Sequence, residues 1–160
     1  MKKYIKIVIC ALLFSMLIWL FYPRSLVQKM GKADDIALTF GGGFSGKERV
    51  GWYIPQGSRD YEELESILKK YRYHITWRTL LRYNTITGPM DEDVTIRMDN
   101  EKQGEVFYLH STGRKETFIG GDVYNIGYFG DDRAMKLMKE IKNFIYSRQK
   151  AITERESGGS

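Results

Sequence analysis

The stretch DVTIRMDNEKQGEVFYLHS, residues 93–111, contains the pattern that decides the fold. In its first half Val94, Ile96 and Met98 alternate with polar residues, and this period of two is typical of a strand with one buried face. A second strand is predicted over residues 105–111, joined to the first by a short polar turn that contains a glycine. The stretch therefore predicts an antiparallel pair of strands.

Further segments on both sides of this hairpin have the composition of short strands. Turns containing glycine separate several of them, as at Thr112 to Arg114 and at Gly120 to Asp122. Several short strands joined by tight turns favour an antiparallel meander. The predicted strands outside the hairpin cover residues 36–40, 49–55, 71–78, 116–119 and 123–128.

Two segments have the period of an amphipathic helix. In the first, Ser58 or Asp60 is the predicted N-cap of a helix whose apolar residues recur on one face over residues 61–71. In the second, Asp131 or Asp132 caps a helix with an apolar stripe behind it. Strands and helices together predict an α+β domain, in which an antiparallel sheet of about five to seven short strands is packed by two amphipathic helices.

The most apolar part of the chain is its beginning, because Ile7 to Tyr22 contains no charged residue. At about 1.5 Å per residue, this run of about 16 residues covers about 24 Å of a hydrocarbon core about 30 Å thick. Lys6 lengthens the span by reaching back to the headgroups, and Trp19 lies near an interface. The sequence therefore predicts a single-pass transmembrane helix, with an anchor over residues 1–24 that contacts the lipid bilayer through residues 5–22.

Two other interpretations of this segment stay open. Lys2 and Lys3 in front of an apolar run are typical of a cleaved signal peptide, but no Ala-x-Ala pattern follows the run, and the first alanine beyond it is Ala33. A buried core helix of a soluble protein normally has a polar face, which this segment lacks. The residues favour a retained anchor.

The flanking charges predict the orientation of the anchor. Lys2, Lys3 and Lys6 lie before the span together with the amino terminus, whereas the basic residues after it are spread out. Because cytoplasmic flanks carry the excess of basic residues, we expect the N-terminus in the cytoplasm and the domain outside. The predicted localisation is the cell membrane of a bacterium. Cys10 is the only cysteine, and the lack of paired cysteines favours a bacterial over a eukaryotic exoplasmic setting.

Behind the anchor, composition divides the chain into three parts. Residues 25–35 are polar and mixed in charge, and they predict a stalk. Residues 36–148 predict one extracytoplasmic α+β domain, and residues 149–160 predict a disordered tail. Removing the four basic residues of the anchor and its flanks leaves 21 Lys and Arg against 20 Asp and Glu. A domain so close to neutral argues against nucleic-acid binding.

One segment matches a phosphate-binding loop only in part. GGGFSGK, residues 41–47, fits G-x-x-x-x-G-K, but Glu48 stands where such loops have Ser or Thr to hold magnesium. The residues that follow, 49–55, are typical of a strand, whereas the motif requires a helix whose N-terminus faces the anion. We interpret the match as false and predict a hairpin loop.

The remaining chemistry-bearing residues form no diagnostic pattern. His74 and His110 fall on predicted strands without zinc-ligand spacing, and the acidic residues Asp91, Asp93 and Asp99 lack the spacing of an EF-hand. The carboxylates of a glycosidase need be close only in space, so sequence leaves that possibility open. We predict no catalytic, cofactor-binding or metal-binding residues, no cofactor, and no enzymatic activity.

The aromatic residues raise two hypotheses about function. The chain has 11 Tyr and 3 Trp, and those on predicted strands are typical of core or cross-strand pairs unless they prove exposed on one face. Exposed together, they favour a membrane-tethered interaction module of accessory, sensor or immunity type that binds a protein or peptide. A groove that combines aromatic walls with paired carboxylates favours a cell-wall or glycan binding or processing domain instead. The aromatic residues in question are Trp52, Tyr53, Tyr73, Trp77, Tyr83, Tyr108, Tyr124 and Tyr128.

The order of these elements resembles a known kind of protein. A lysine-headed apolar segment, a hairpin, the helix DYEELESILKKY, the meander DVTIRMDNEKQGEVFYLHS and TFIGGDVYNIGY, and a closing helix follow one another along the chain. This order is similar to that of small membrane-anchored domains of Gram-positive bacteria for which no activity is established. The resemblance covers most of residues 34–147 and implies an α+β fold and a bacterial surface location.

Overall fold

A computed structural model of the protein describes residues 2–41, 50–83, 85, 93–102 and 104–157. In these ranges the chain forms four α-helices, one 3-10 helix and eight strands. The helices are α1 (Lys2–Phe21), the 3-10 helix (Leu26–Lys32), α2 (Arg59–Lys69), α3 (Trp77–Leu80) and α4 (Asp132–Ser157). The strands are β1 (Arg24–Ser25), β2 (Asp35–Gly41), β3 (Val50–Pro55), β4 (Arg72–His74), β5 (Asp93–Asn100), β6 (Gly104–Ser111), β7 (Glu116–Ile119) and β8 (Asp122–Ile126).

All eight strands belong to one antiparallel sheet with the order β1-β4-β8-β7-β6-β5-β2-β3. The predicted hairpin of residues 93–111 is confirmed as β5 and β6, which lie next to each other inside the sheet. Ile96 pairs with Leu109, and the register shifts at a bulge between Met98 and Asp99. The α+β class and the antiparallel arrangement are therefore confirmed.

The predicted number of strands is wrong, because eight form where five to seven were expected. The additional strand is β1, whose two residues pair with β4 through Arg24 opposite Tyr73. A strand of two residues has no period that a sequence pattern could reveal. The prediction of one strand over residues 71–78 is wrong in its second half, since β4 ends at His74 and α3 follows.

The change from strand to helix after His74 has a local cause. The side-chain oxygen of Thr76 accepts a hydrogen bond from the backbone N–H of Thr79 at 3.3 Å, and the Thr79 hydroxyl accepts one from the backbone N–H of Thr76 at 3.0 Å. This reciprocal capping satisfies two N–H groups that the first turn of a helix leaves unpaired. The residues after His74 therefore form α3, although their alternation of apolar and polar residues is that of a strand.

The core lies on one face of the sheet, beneath α2, α4 and the 3-10 helix. Alternate residues of the strands point into it, as Ile36, Leu38 and Phe40 do from β2. The helices contribute the stripe predicted from their period. Their buried apolar residues are Tyr61, Leu64, Ile67 and Leu68 on α2, and Ala134, Leu137, Ile141, Phe144 and Ile145 on α4.

Residues 25–35 differ from the predicted stalk, because they pack into the core. Leu26, Met30 and Ala33 are all at most 1% exposed, and the hydroxyl of Tyr61 on α2 donates a hydrogen bond to the carbonyl of Met30 at 2.8 Å. These three residues have the i, i+4, i+7 spacing of a helix face, but the polar, mixed-charge composition around them and Gly31 favoured a linker. The domain therefore begins directly after α1.

The end of the chain also differs from the prediction. The backbone of α4 continues to Ser157, where a disordered tail was expected over residues 149–160. Other predicted features lie outside the described residues. These are the glycine-rich loop beyond Gly41 and the carboxylate of Asp91.

The first helix, α1, stands apart from the core. The 18 residues Tyr4–Phe21 have a mean hydropathy of 2.3. Of these side chains only Leu20 is buried, so the remainder of the helix presents an apolar surface on all sides. The hydroxyl of Tyr128, in the loop after β8, donates a hydrogen bond to the carbonyl of Phe21 at 2.9 Å and joins the end of α1 to the domain.

Candidate functional site

The face of the sheet opposite α2 and α4, called the open face below, carries the side chains that alternate with the core residues. Two aromatic rings and a histidine lie next to one another there. The ring of His110 on β6 lies parallel to that of Tyr108, with centroids 6.4 Å apart, and it contacts Phe118 on β7 at 6.3 Å. The register that pairs His110 with Phe118 creates this row, which explains why strand pattern alone could not assemble it.

His110 also belongs to a polar cluster on the open face. Its Nδ1 atom lies 3.1 Å from the hydroxyl oxygen of Thr95 and 4.0 Å from the carboxylate of Asp93, a residue only 5% exposed. A catalytic triad needs the carboxylate and the hydroxyl on opposite nitrogens of the imidazole. Here both groups face the same nitrogen, so the arrangement orients the ring without activating the hydroxyl.

A second polar cluster lies at the other end of the same face. Asp35 on β2 stands directly opposite Asp99 on β5, a cross-strand position at which Cβ atoms are about 5 Å apart. The guanidinium of Arg97 donates a hydrogen bond to Asp99 at 3.0 Å. Hydrogen bonding to Asp35 raises the pKa of the Tyr53 hydroxyl, whose side chain is 62% exposed. Two carboxylates and an exposed aromatic ring thus share one corner of the sheet.

An exposed apolar surface of the domain is formed by α3 and the residues that follow it. We call Trp77, Leu80, Leu81 and Tyr83 the α3 patch. These side chains are 66%, 45%, 76% and 58% exposed, respectively. Large apolar side chains exposed side by side are uncommon on soluble domains unless they bind something.

The α3 patch is held rigidly against the sheet. Arg78 forms an ion pair with Glu116 of β7 at 2.6 Å, and its guanidinium lies 5.0 Å from the ring centre of Tyr83. The hydroxyl of Thr79 donates a hydrogen bond to the carbonyl of Val123 on β8. A helix of four residues has little stability of its own, so these contacts determine where the patch lies.

A cavity of about 290 Å³, called the junction pocket below, lies where the sheet meets the end of α1. Pro23, directly after α1, lines it together with Arg72 of β4, Tyr128 and Arg133 of α4. Lys70 and His74 also line the pocket, and none of its described lining residues carries a carboxylate.

Only part of this positive charge is neutralised within the protein. Lys70 pairs with Glu140 at 2.9 Å, and although burial acts to raise the pKa of that carboxyl, the ammonium of Lys70 lowers it overall. Within the described part of the chain, Arg72 and Arg133 form no ion pair, and both are exposed. The pocket therefore offers two free guanidinium groups beside a third cation.

Burial changes the pKa of two further side chains of the junction pocket. Burial raises the pKa of Tyr71, and so does its interaction with the neighbouring carboxylate of Glu140. The buried tyrosine hydroxyl lies beside this carboxylate without reaching hydrogen-bond geometry with any described residue. Burial lowers the pKa of His74, whose ring stacks on that of Tyr128 with centroids 4.5 Å apart. A buried hydroxyl without a partner costs free energy, which an incoming acceptor would recover.

The residues considered from sequence are distributed over separate places. His74 lines the junction pocket, while His110 lies on β6, and Asp93 and Asp99 lie at opposite ends of β5. Among the described residues, no group of three or more His, Cys, Asp or Glu side chains could hold a metal ion.

The aromatic residues divide between core and surface. Tyr73 is buried, and Trp52 and Tyr124 pack partly buried against the core. Tyr53 and Tyr128 are exposed, as are Trp77 and Tyr83 of the α3 patch. Some of the aromatic residues on predicted strands therefore belong to the core, and others are exposed on the surface.

Comparison with known proteins identifies no relative of this chain. No family model, curated protein or solved structure matches the chain. The resemblance to membrane-anchored domains of Gram-positive bacteria therefore stays a prediction.

Sequence reasoning missed two features of these sites. Trp77, Leu80 and Leu81 have the three- and four-residue spacing of a helix face, and this signal was present but was outweighed by the alternation before it. Arg72 and Arg133 come from distant parts of the chain. No local pattern could have placed them in one pocket, because their proximity depends on the pairing of β4 with β8.

Proposed function

We propose that this protein is a membrane-tethered interaction module of accessory, sensor or immunity type. In this proposal α1 crosses a bacterial cell membrane once with its N-terminus in the cytoplasm, and the domain outside binds a protein or peptide. The observation that carries the binding function is the α3 patch, because its four apolar side chains are exposed although the domain has a complete core elsewhere.

The tether is supported by the exposure of α1. A core helix of a soluble protein would be buried, whereas 6% of the span Tyr4–Phe21 is buried. Exposed apolar side chains on every side of a helix are stable in lipid and unfavourable in water. Signal peptides have the same composition, so retention is the part of the proposal to be tested first.

The partner surface has the chemistry of a protein-binding site. Tryptophan and tyrosine provide large apolar contact areas with a polar edge, and both are enriched where interfaces have their strongest contacts. The contacts of Arg78 and Thr79 with the sheet hold α3 in place before binding. A surface held in its bound conformation loses less conformational entropy on association.

Pull-down from detergent extracts of the full-length protein tests the interaction. The double substitution Trp77→Ser with Leu81→Ser should abolish recovery of the partner and leave the thermal unfolding midpoint nearly unchanged, because both side chains are exposed. The matched control is Met135→Ser with Tyr146→Ser, two exposed apolar residues of α4, which should retain the partner. Equal recovery by both double variants would exclude the α3 patch as the binding surface.

The location is tested by adding protease to intact cells. If the domain lies outside, digestion removes residues beyond Arg24 while a cytoplasmic marker stays intact. The mass of the purified chain shows separately whether the N-terminal segment has been retained. Full protection in cells whose surface proteins are digested would reverse the orientation.

A cell-wall or glycan binding function is the second candidate, and Asp35, Asp99 and Tyr53 are the residues that favour it. An exposed tyrosine beside two carboxylates suits the apolar face and hydroxyl groups of a sugar ring. This corner is part of an open sheet face, and neither the junction pocket nor the groove between α2 and α4 combines Tyr or Trp walls with two carboxylates. The arrangement therefore favours binding over processing.

Sedimentation with purified cell wall distinguishes the two candidates. The glycan function predicts that the full-length protein in detergent sediments with the wall, and that Tyr53→Ala with Asp35→Asn releases it. The interaction function predicts a protein partner and no effect of these substitutions. Recovery of no protein partner, together with sedimentation, would replace the first candidate by the second.

A further inference from the structure

We propose that the junction pocket binds the phosphate of an anionic phospholipid headgroup in the leaflet where α1 ends. This inference rests on the proposed membrane tether, because only a chain held in a bilayer brings the pocket to the headgroups. The observations that carry it are the position of the pocket, its charge, its buried hydroxyl group and the aromatic residues on its rim.

The position follows from the end of α1. The apolar run ends at Tyr22, and Pro23, the next residue, lines the pocket. The headgroup region adds about 5 to 8 Å on each side of the hydrocarbon core, which spans only a few residues of chain. In a membrane, the opening of the pocket therefore lies at the depth of the lipid phosphates.

The charge of the pocket fits an anion. Arg72 and Arg133 both line it, and neither is neutralised by a carboxylate within the described residues. Guanidinium groups bind phosphate through paired N–H donors, and they form the stronger type of phosphate contact. A zwitterionic headgroup brings its own cation and would leave this excess positive charge uncompensated.

The hydroxyl of Tyr71 provides a specific donor. Tyr71 lines the pocket, and its buried hydroxyl group, which neighbours the carboxylate of Glu140, has no partner at hydrogen-bond geometry among the described residues. A phosphate oxygen that reached this hydroxyl group would accept a hydrogen bond from it and remove the cost of an unpaired buried group. The volume of about 290 Å³ suits a headgroup but is too small for a lipid with its acyl chains.

The loop beside the pocket completes a membrane contact. Phe129 is 91% exposed, and its neighbour Tyr128 lines the pocket and donates its hydrogen bond to Phe21 at the end of α1. Aromatic rings at this depth are typical of the membrane interface. The pocket and the loop together would fix the angle between the domain and the bilayer.

The test uses the full-length protein in nanodiscs that contain equal amounts of phosphatidylglycerol and phosphatidylcholine. Lipids that stay bound when the protein is released are counted by native mass spectrometry. Because each cation near an anionic surface contributes about fivefold, we expect Arg72→Gln with Arg133→Gln, which removes two cations, to reduce bound phosphatidylglycerol by about 25-fold. Tyr71→Phe should reduce it by a smaller factor.

The control double variant is Arg59→Gln with Arg114→Gln, which removes two exposed arginines outside the pocket and should leave lipid binding unchanged. Equal loss in both double variants, or no preference for phosphatidylglycerol in the native protein, would overturn the proposal. A further experiment adds millimolar inorganic phosphate as a competitor. If it removes the preference, the pocket binds free phosphate and the assignment to lipid is wrong.

Failure of the pocket and failure of the tether give different results. Nanodiscs made of phosphatidylcholine alone should incorporate the native protein and the pocket variants equally. A native protein that is purified without its N-terminal segment, or that fails to enter these discs, would contradict the tether. Full incorporation without lipid preference would contradict only the pocket.

Discussion

The hydroxyl of Tyr128 donates a hydrogen bond to the backbone carbonyl of Phe21, with the two oxygen atoms 2.9 Å apart. Phe21 is the last residue of α1, and Tyr128 lies in the loop between the sheet and α4. The ring of Tyr128 also stacks on His74 of β4. With the pairing of β1 and β4, this contact connects the apolar helix to the domain at two points.

Tyr128→Phe should loosen this connection without unfolding the domain. The phenylalanine ring keeps the stacking on His74, and only the hydrogen bond to Phe21 is lost, a net contribution of about 0.5 to 1.5 kcal/mol. We expect tryptic cleavage after Arg24 to become about two to ten times faster, because opening of β1 precedes cleavage. Tyr146→Phe, in an exposed tyrosine on α4, is the control and should leave the rate unchanged.

Arg148→Ala should lower the free energy of unfolding by about 1 to 2 kcal/mol. Arg148 donates hydrogen bonds to Asp60 at 3.1 Å and to Glu63, and its guanidinium lies 4.1 Å from the ring centre of Phe144. Several charge-assisted bonds to one half-buried arginine contribute more than a simple surface pair. Urea unfolding at low and high salt measures the effect, which should shrink as salt rises.

The comparison for Arg148 is the exposed pair of Lys69 and Glu65, four residues apart on α2 and 3.0 Å from each other. Lys69→Ala should cost about 0.2 to 0.5 kcal/mol. Arg148→Lys should recover only part of the lost stability, since an ammonium cannot reach both carboxylates in the same way. Full recovery by lysine would show that charge alone matters at this position.

The stability of the domain should fall as the pH drops through the range in which histidine titrates. Burial lowers the pKa of His74 below its ordinary value of 6.5, so the unfolded chain binds its proton at a higher pH than the folded one. The contribution of His74 is therefore fully present above pH 6.5 and is lost as the pH falls from there toward the folded pKa. Unfolding free energies at about pH 7.5 and about pH 5.5 measure this loss.

His74→Phe keeps an aromatic ring for Tyr128 to stack on and removes the titrating group. The decrease in stability between the two pH values should become smaller in this variant. The reduction caused by His74→Phe should also appear in a protein in which His110 has already been replaced by asparagine, because the two histidines lie on different elements. An unchanged pH profile in His74→Phe would refute the assignment.

Gly127→Ala should destabilise the domain more than Gly120→Ala. Both glycines have a positive φ, +82° and +60°, which costs about 1 to 2 kcal/mol for an alanine. A Cβ atom at Gly127 would also come within 3.0 Å of the Arg133 side chain, whereas one at Gly120 would meet nothing within 4 Å. The difference between the two variants in urea unfolding therefore measures the close approach; equal losses would mean that Arg133 moves aside freely.

Local patterns predicted the elements in which each side chain faces either water or the core. The alternation of Val94, Ile96 and Met98 gave β5 because each apolar residue faces the same side of a strand, and Ser58 was correctly predicted as a cap. The cap forms as expected, with the Tyr61 N–H donating to the Ser58 hydroxyl at 3.1 Å. Such features depend on neighbours along the chain, which a sequence displays directly.

Contacts between distant residues were beyond local patterns. Leu26 and Met30 lie in a segment whose composition predicts a stalk, whereas their burial depends on α2, which packs over them. Asp60, expected as a possible cap, instead binds Trp52 and Arg148 from two other elements. In both cases the partner lies on another element, which the spacing of the residues does not reveal.

The sequence by itself determined the α+β class, the antiparallel hairpins, the two amphipathic helices and the presence of one uninterrupted apolar segment, since each depends on hydrophobic periodicity or composition over a few turns or strands. The tertiary structure decided the features that bear on function. Pairing of β4 with β8 brings Arg72 near Arg133, and capping by Thr76 turns residues after His74 into the exposed α3 patch. These arrangements arise from register and packing between segments far apart in the chain, where local propensity carries no information.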